Sequence, residues 1–165
     1  GTLQRLRAAP ISRFTILAGK GLACFLTCCA VISILLLLGR LVFGVRILDP
    51  GLLAMAILAT SLCFVGIMLL VSTLGKTEQS VAGAGWAVFV VLAMFGGGMV
   101  PLFMMPGWMA PISDLSPVKW SVLALEGAIW REFSFAEMLK PCAILLGIGA
   151  ASFGFGMWRM PKLGD

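Results

Sequence analysis

Histidine and tyrosine are absent from the 165 residues, and only 12% of them are charged. Without histidine the chain lacks the side chain most used for general acid–base catalysis and the commonest metal ligand. A soluble domain carries about twice that share of charge alongside ~45–50% apolar residues; here 61% are hydrophobic. A domain of this size still exposes much of its area, so the apolar excess has nowhere to hide from water. A soluble enzyme, a disordered region and a disulfide scaffold are all excluded. What is left is a chain that crosses a membrane several times.

The net charge of +5 does not mark a nucleic-acid surface, because the twelve Lys and Arg are scattered between apolar runs and form no basic patch interleaved with aromatics. No nucleic-acid partner is expected. The five cysteines, Cys24, Cys28, Cys29, Cys63 and Cys142, all lie within apolar runs, where a free thiol acts as a small hydrophobe. Cys24 and Cys28 stand one helical turn apart, and Met94, Met99, Met104, Met105 and Met109 could add thioethers for a soft metal. With no histidine, and with the sulfurs on separate segments, core packing is the simpler account, and no metal site is expected. The sequence opens at Gly1 and not at a methionine, and no cleavable leader pattern precedes the first apolar run; it is expected to be a fragment.

A spanning helix needs about 20 mostly apolar residues, because each adds about 1.5 Å against a hydrocarbon layer of about 30 Å. Four stretches qualify, at residues 14–38, 52–74, 81–100 and 141–159. Backbone polar groups in lipid must be satisfied within the chain, so these are helices. The expected fold is an all-α polytopic membrane helix bundle of four transmembrane helices plus an outer re-entrant or interfacial helix. Four crossings put both ends of the chain on one side, with Arg5, Arg7, Arg13, Lys20, Lys76, Arg159 and Lys162, against Arg40, Arg46, Lys119, Arg131 and Lys140 on the other. That excess places the ends in the cytoplasm by the positive-inside rule.

Two segments are not simple spans. Residues 1–12 hold a short helix that Thr2 can cap, with Leu3 and Leu6 on one face, Arg5 and Arg7 elsewhere, and Pro10 as its stop. It suits either an interfacial anchor on anionic lipid or a docking helix for a partner. Residues 101–135 form an outer segment. There Pro101, Pro106 and Pro111 make turns rather than helix, and Ser116-Pro117 opens a helix to about Trp130. That helix carries Lys119 and Glu126 on one face and is otherwise mostly apolar, so it should lie in or dip into the outer face of the membrane. Trp108, Trp120 and Trp130 suit the interface. Ser134 with Glu137 makes a capping box before the last span, and Pro141 should kink or restart that helix. Small residues recur in it as Gly147 with Ala151 and Ala150 with Gly154, a spacing that lets helices approach closely.

The stretch Gly1-Thr-Leu-Gln-Arg-Leu-Arg-Ala-Ala-Pro-Ile-Ser-Arg13, followed by Gly19-Lys20, resembles the cytoplasmic segment before the third span of type-2 ABC transporter permeases. Gly98-Met-Val-Pro-Leu-Phe-Met-Met-Pro-Gly-Trp-Met-Ala-Pro-Ile-Ser113, then Leu115-Ser-Pro-Val-Lys-Trp120, resembles the outer re-entrant hairpin of the same family. The resemblance covers essentially the whole chain. It implies six spans per permease subunit, of which these would be the C-terminal four. It further implies a second permease subunit and an ABC ATPase subunit docked through a coupling helix, in a bacterial inner membrane, with membrane lipid around them. The docking residues would be Thr2, Leu3, Arg5, Leu6 and Arg7. The outer gate would comprise Gly98, Pro101, Pro106, Trp108, Pro117 and Trp120, with Glu126 beyond them. For Glu126, Arg131 and Glu132 the solvated face of an interfacial helix is the plainer account.

No catalytic residue and no cofactor is expected on this chain. Gly75-Lys76-Thr77 copies the end of a phosphate-binding loop, but that motif needs a glycine at position 70, which is Leu70. ATP would be hydrolysed on another subunit, and this chain would be the permease of an exporter. A non-transporting membrane scaffold or assembly protein is the alternative. No acid or base sits mid-span, which argues against a proton relay within these helices.

Overall fold

The computed structural model describes residues 13–74, 77–99 and 104–159. The docking residues Thr2, Leu3, Arg5, Leu6 and Arg7 lie outside them, as does Pro101. Among the described residues every regular element is helical. Helix α1 spans Arg13–Phe43, α2 Pro50–Leu74 and α3 Glu78–Phe95. After a 3-10 turn at Gly107–Met109 come the single turn α4, Ala110–Ser113, then α5, Pro117–Ile129, and α6, Phe135–Arg159. The fold is an all-α membrane helix bundle.

Three helices carry stretches long and apolar enough to cross a membrane: Ala18–Phe43, Pro50–Thr73 and Phe135–Trp158. The apolar part of α3, Gln79–Phe95, is shorter. In α1 the uncharged stretch from Gly21 to Gly39 lies between Lys20 and Arg40, about 30 Å apart at ~1.5 Å per residue, which matches the hydrocarbon thickness. Leu35 is 62% exposed, Leu41 73% and Trp86 73%. Faces this apolar are costly against water and suited to lipid.

Local chemistry fixes the helix ends. Gly44, at φ +66°, turns the chain out of α1 while its N–H donates to the Arg40 carbonyl at 3.1 Å, the left-handed glycine stop. Asp49 accepts from the amides of Gly51 at 2.8 Å and Leu52 at 3.1 Å, and Pro50, with no N–H to satisfy, takes the first helical position. Thr77 caps α3 by accepting from the Ser80 amide at 3.2 Å. Helix α3 stops at Phe95, short of the expected Val100, because Gly96 is its C-cap and Gly97 adopts φ +87°. Helix α6 begins at Phe135 and continues through the buried Pro141 without restarting.

Helix α2 lies at the centre, packed against α1, α3, α5 and α6. Its closest neighbour is α6. A Cβ on Gly66 would fall 2.3 Å from the Gly149 carbonyl oxygen, and one on Gly149 would fall 2.8 Å from Cys63 Cα. Farther along, a Cβ on Gly156 would meet Leu70 Cα at 3.3 Å. The seam therefore uses Gly149 and Gly156, while a Cβ on Gly147 or Gly154 would meet nothing within 4 Å. The main core joins Ala56, Cys63, Ala124, Met138 and Leu145, with Trp120 at its end. Helix α1 packs on α2 through Phe25 and Cys28 against Val65 and Leu69, and its Leu36 packs against the main core.

Candidate functional site

The segment joining α3 to α6 carries most of the sequence-derived gate residues, and its geometry starts at the end of α3. Gly96 donates its N–H to the Leu92 carbonyl at 2.8 Å. A side chain there would collide with α5, since a Cβ on Gly96 would sit 2.5 Å from Val118 Cβ and 2.6 Å from Ser116 Oγ. The bare backbone is what lets the start of α5 lie on the end of α3. Ser116 Oγ donates to the same Leu92 carbonyl at 2.7 Å and accepts from the Val118 amide at 3.3 Å. One hydroxyl thus caps α5 and ties it to α3. Gly98 belongs to the same contact, where a Cβ would reach Val118 Cγ1 at 3.5 Å.

Between Pro106 and Ser113 the chain makes a 3-10 turn and then one helical turn, where the sequence suggests turns without helix. Met109 donates its N–H to the Pro106 carbonyl at 2.9 Å, and Pro111 falls inside a first helical turn, where its missing N–H costs nothing. Trp108 is 67% exposed. Pro117 opens α5 and is buried.

Trp120 does not lie along a surface. It is 9% exposed and belongs to the main core, and its indole Nε1–H donates to the Asp114 backbone carbonyl at 2.8 Å. Beside it, Lys119 pairs with the Asp114 carboxylate and donates to Ser113 Oγ at 3.2 Å. Lys119 Nζ and Lys140 Nζ stand 5.8 and 6.0 Å from the Trp120 ring centroid, within cation–π range. The ring is therefore held by its donor and flanked by two cations from α5 and α6.

At the other end of α5, Glu126 pairs with Arg131 at 2.8 Å, and its backbone carbonyl accepts from the amides of Trp130 and Arg131. Lys119 and Glu126 share a helix face by spacing, yet each takes a partner from a flanking turn. Glu132 turns the chain at φ +52°. Phe133 then folds back, donating its N–H to the Gly127 carbonyl at 3.1 Å. A Cβ on Gly127 would fall 2.4 Å from that phenyl ring. The capping box follows: Ser134 Oγ and its amide both donate to Glu137 Oε2 at 2.8 Å, and the Glu137 amide donates back at 3.4 Å.

The structure thus brings Gly98 and Pro117 to one junction of α3 and α5, buries Trp120 in the first turn of α5 beside Lys140 of α6, and sets Glu126 at the far end of α5. Asp114, Ser113 and Lys140 join the site without a sequence signal, because their partners lie across turns or on another helix. Among the described residues no group of three or more His, Cys, Asp or Glu could hold a metal ion. Cys28 packs on Val65 and Leu69, and the Cys29 thiol donates to Ser61 Oγ at 3.3 Å.

Comparison with known proteins adds what geometry alone does not. Residues 1–130 match the ABC-2 type transporter family. The linearmycin resistance permease protein LnrN of Bacillus subtilis (strain 168) is 28% identical over 157 residues, covering 95% of this chain and 41% of that protein. The chain therefore spans about two fifths of that curated relative's length. No solved structure matches it.

Proposed function

The chain belongs to the ABC-2 type transporter family, and from that premise we propose that it is a permease part of an ATP-driven exporter. The family match over residues 1–130 carries this proposal, and the multi-pass helical bundle agrees with it. The permease works beside a second permease subunit and an ABC ATPase, in the plasma membrane of a bacterium, with residues 1–12 as the element that meets the ATPase. Four crossings, with the shorter α3 as the third, keep both ends of the chain on the cytoplasmic side.

ATP closure of the two ATPase subunits shifts the permease between two states, and only differential binding of ATP to those states can drive the shift. The outer segment between α3 and α6 is the gate in this scheme. Gly98 and Pro117 stand at its junction of α3 and α5, Pro106, Trp108 and Trp120 in the turns and helix around it, and Glu126 at the far end of α5. Pro101, outside the described residues, is assigned to it from the sequence. Because Ser116 ties the two helices together, a displacement of α3 is passed to α5. The relative's name connects that protein with resistance to linearmycin, which makes a compound of that kind the first cargo to test.

The test replaces Leu3 and Leu6 with Asp in the full-length protein, co-expressed with its neighbouring ATPase. Copurification of the ATPase and cargo-stimulated hydrolysis should both be lost while membrane insertion persists. Unchanged coupling would sink the docking assignment. Failure of the wild-type protein to retain any ATPase would favour a scaffold.

A further inference from the structure

Beyond the junction of α3 and α5, a second cleft opens between α1, α2 and α3, with a volume of about 740 Å³. Ligand sites of this size are mostly apolar, with a few placed polar groups. Here the polar groups gather at one end. Lys20 comes from α1, Ser72 from α2, and Thr77 from the cap of α3. The depth of the cleft is walled by Gly85, Trp86 and Phe89. Phe89 is itself packed on Phe64 with ring centroids 5.6 Å apart.

Gly21 explains why Lys20 reaches this place: a Cβ there would already touch Leu69 Cδ1 at 3.4 Å, so α1 lies against α2 just above Ser72. Among the described residues the ion pairs are Lys119–Asp114 and Arg131–Glu126, so Lys20 has no carboxylate partner among them. Lys20 is the charged residue among those lining the cleft. From Thr77 to Phe89 the helix descends about 18 Å at ~1.5 Å per residue, slightly more than half of a hydrocarbon layer of about 30 Å. A cation at the level of the headgroups above an apolar slot one leaflet deep has the two parts of an anionic phospholipid.

We infer that this cleft binds an anionic phospholipid, its phosphate at Lys20 and Thr77 and an acyl chain along Gly85, Trp86 and Phe89. The site rests on the chain being embedded in a membrane and not on what it transports, so it stands or falls apart from the exporter proposal. Trp86 is 73% exposed, and a lipid chain lying on it covers an indole face that the bundle leaves bare. Ser72 Oγ already donates to the Leu69 carbonyl at 2.7 Å, so at the headgroup Ser72 offers a lone pair and Thr77 offers the hydroxyl proton.

Native mass spectrometry of the full-length protein in detergent, titrated with phosphatidylglycerol or phosphatidylcholine of identical chains, tests this. Phosphatidylglycerol should bind on the order of fivefold more tightly, the worth of one basic residue at an anionic headgroup. Lys20→Gln should remove that preference and leave chain-driven binding, and Ala82→Trp, which fills a wall of the cleft, should weaken both lipids. Equal binding by the wild type, or a preference that survives Lys20→Gln, would overturn the inference. If Ala82→Trp does not fold, a photo-crosslinking residue at position 82 decides in native membranes. Lipid adducts support the site, and adducts with a second copy or another helix overturn it.

Discussion

Gly66 and Gly149 bring α2 and α6 into backbone contact, with room for no side-chain carbon between them: a Cβ on Gly66 would lie 2.3 Å from the Gly149 carbonyl oxygen. In a membrane, where lipid is as apolar as leucine, helices associate through this kind of close packing. Gly66→Ala should therefore force the pair apart and cost about 1–3 kcal/mol, the usual penalty of overpacking. Gly147→Ala and Gly154→Ala meet open space, and should be neutral or slightly stabilising through helix propensity. Thermal unfolding of the purified protein in detergent compares the three, and equal midpoints would show that the seam is not where the structure puts it.

Ser116 is the next point of contact. Its hydroxyl caps α5 and binds the Leu92 carbonyl, but that carbonyl also accepts from Gly96. Ser116→Ala thus orphans an amide at α5 without stranding the acceptor on α3. The expected loss is about 1 kcal/mol, typical of a removed N-cap. Hydrogen exchange should speed up at the first turn of α5 and at the end of α3 together. Exchange that rises in α5 alone would mean the two helices are not tied through this hydroxyl.

The Trp120 environment separates a buried donor from an exposed ion pair. The indole donates to the backbone carbonyl of Asp114, so Asp114→Ala keeps that bond and loses only the pairing with Lys119. The Asp114 side chain is 56% exposed, and pairs of that kind are worth about 0–1 kcal/mol. Trp120→Phe leaves a carbonyl unpartnered at the edge of the core and removes ring volume, at about 1–3 kcal/mol. The order of the two midpoints in detergent unfolding checks this. A larger loss for Asp114→Ala would contradict it.

These contrasts divide what is written locally in the sequence from what only packing decides. Ser116-Pro117 and Ser134 with Glu137 are local codes, each satisfied within three residues, so the starts of α5 and α6 follow from the sequence with little outside help. The multi-pass helical class follows from composition in the same way. The choice of Gly149 and Gly156 over Gly147 and Gly154 does not. All four lie on one helix, and the face that packs is set by the position of Gly66 on another. Trp120 shows the same limit: its preference for an interface is a property of the residue, whereas its burial depends on the Asp114 carbonyl and on Lys140 of α6. Glu126 matches Lys119 in helical spacing but pairs with Arg131, because the turn after α5 carries the guanidinium back to it.

That turn is closed by an aromatic ring. Phe133 folds its ring over Gly127 so closely that a Cβ there would lie 2.4 Å from the ring and 2.8 Å from its first carbon, near the root of the side chain. The ring cannot swing clear while its own amide stays bonded to the Gly127 carbonyl at 3.1 Å. Gly127→Ala alone should then cost about 1–3 kcal/mol as an overpacked contact. In a Phe133→Ala background the clashing atoms are gone, and the same substitution should cost little or gain through helix propensity. The difference between the two backgrounds is a coupling energy of the size found for residues in direct contact, about 0.5–3 kcal/mol. A double-mutant cycle by thermal unfolding in detergent measures it. Additive effects would mean that the turn from α5 into α6 is held by the Glu126–Arg131 pair and the capping box instead of by this ring.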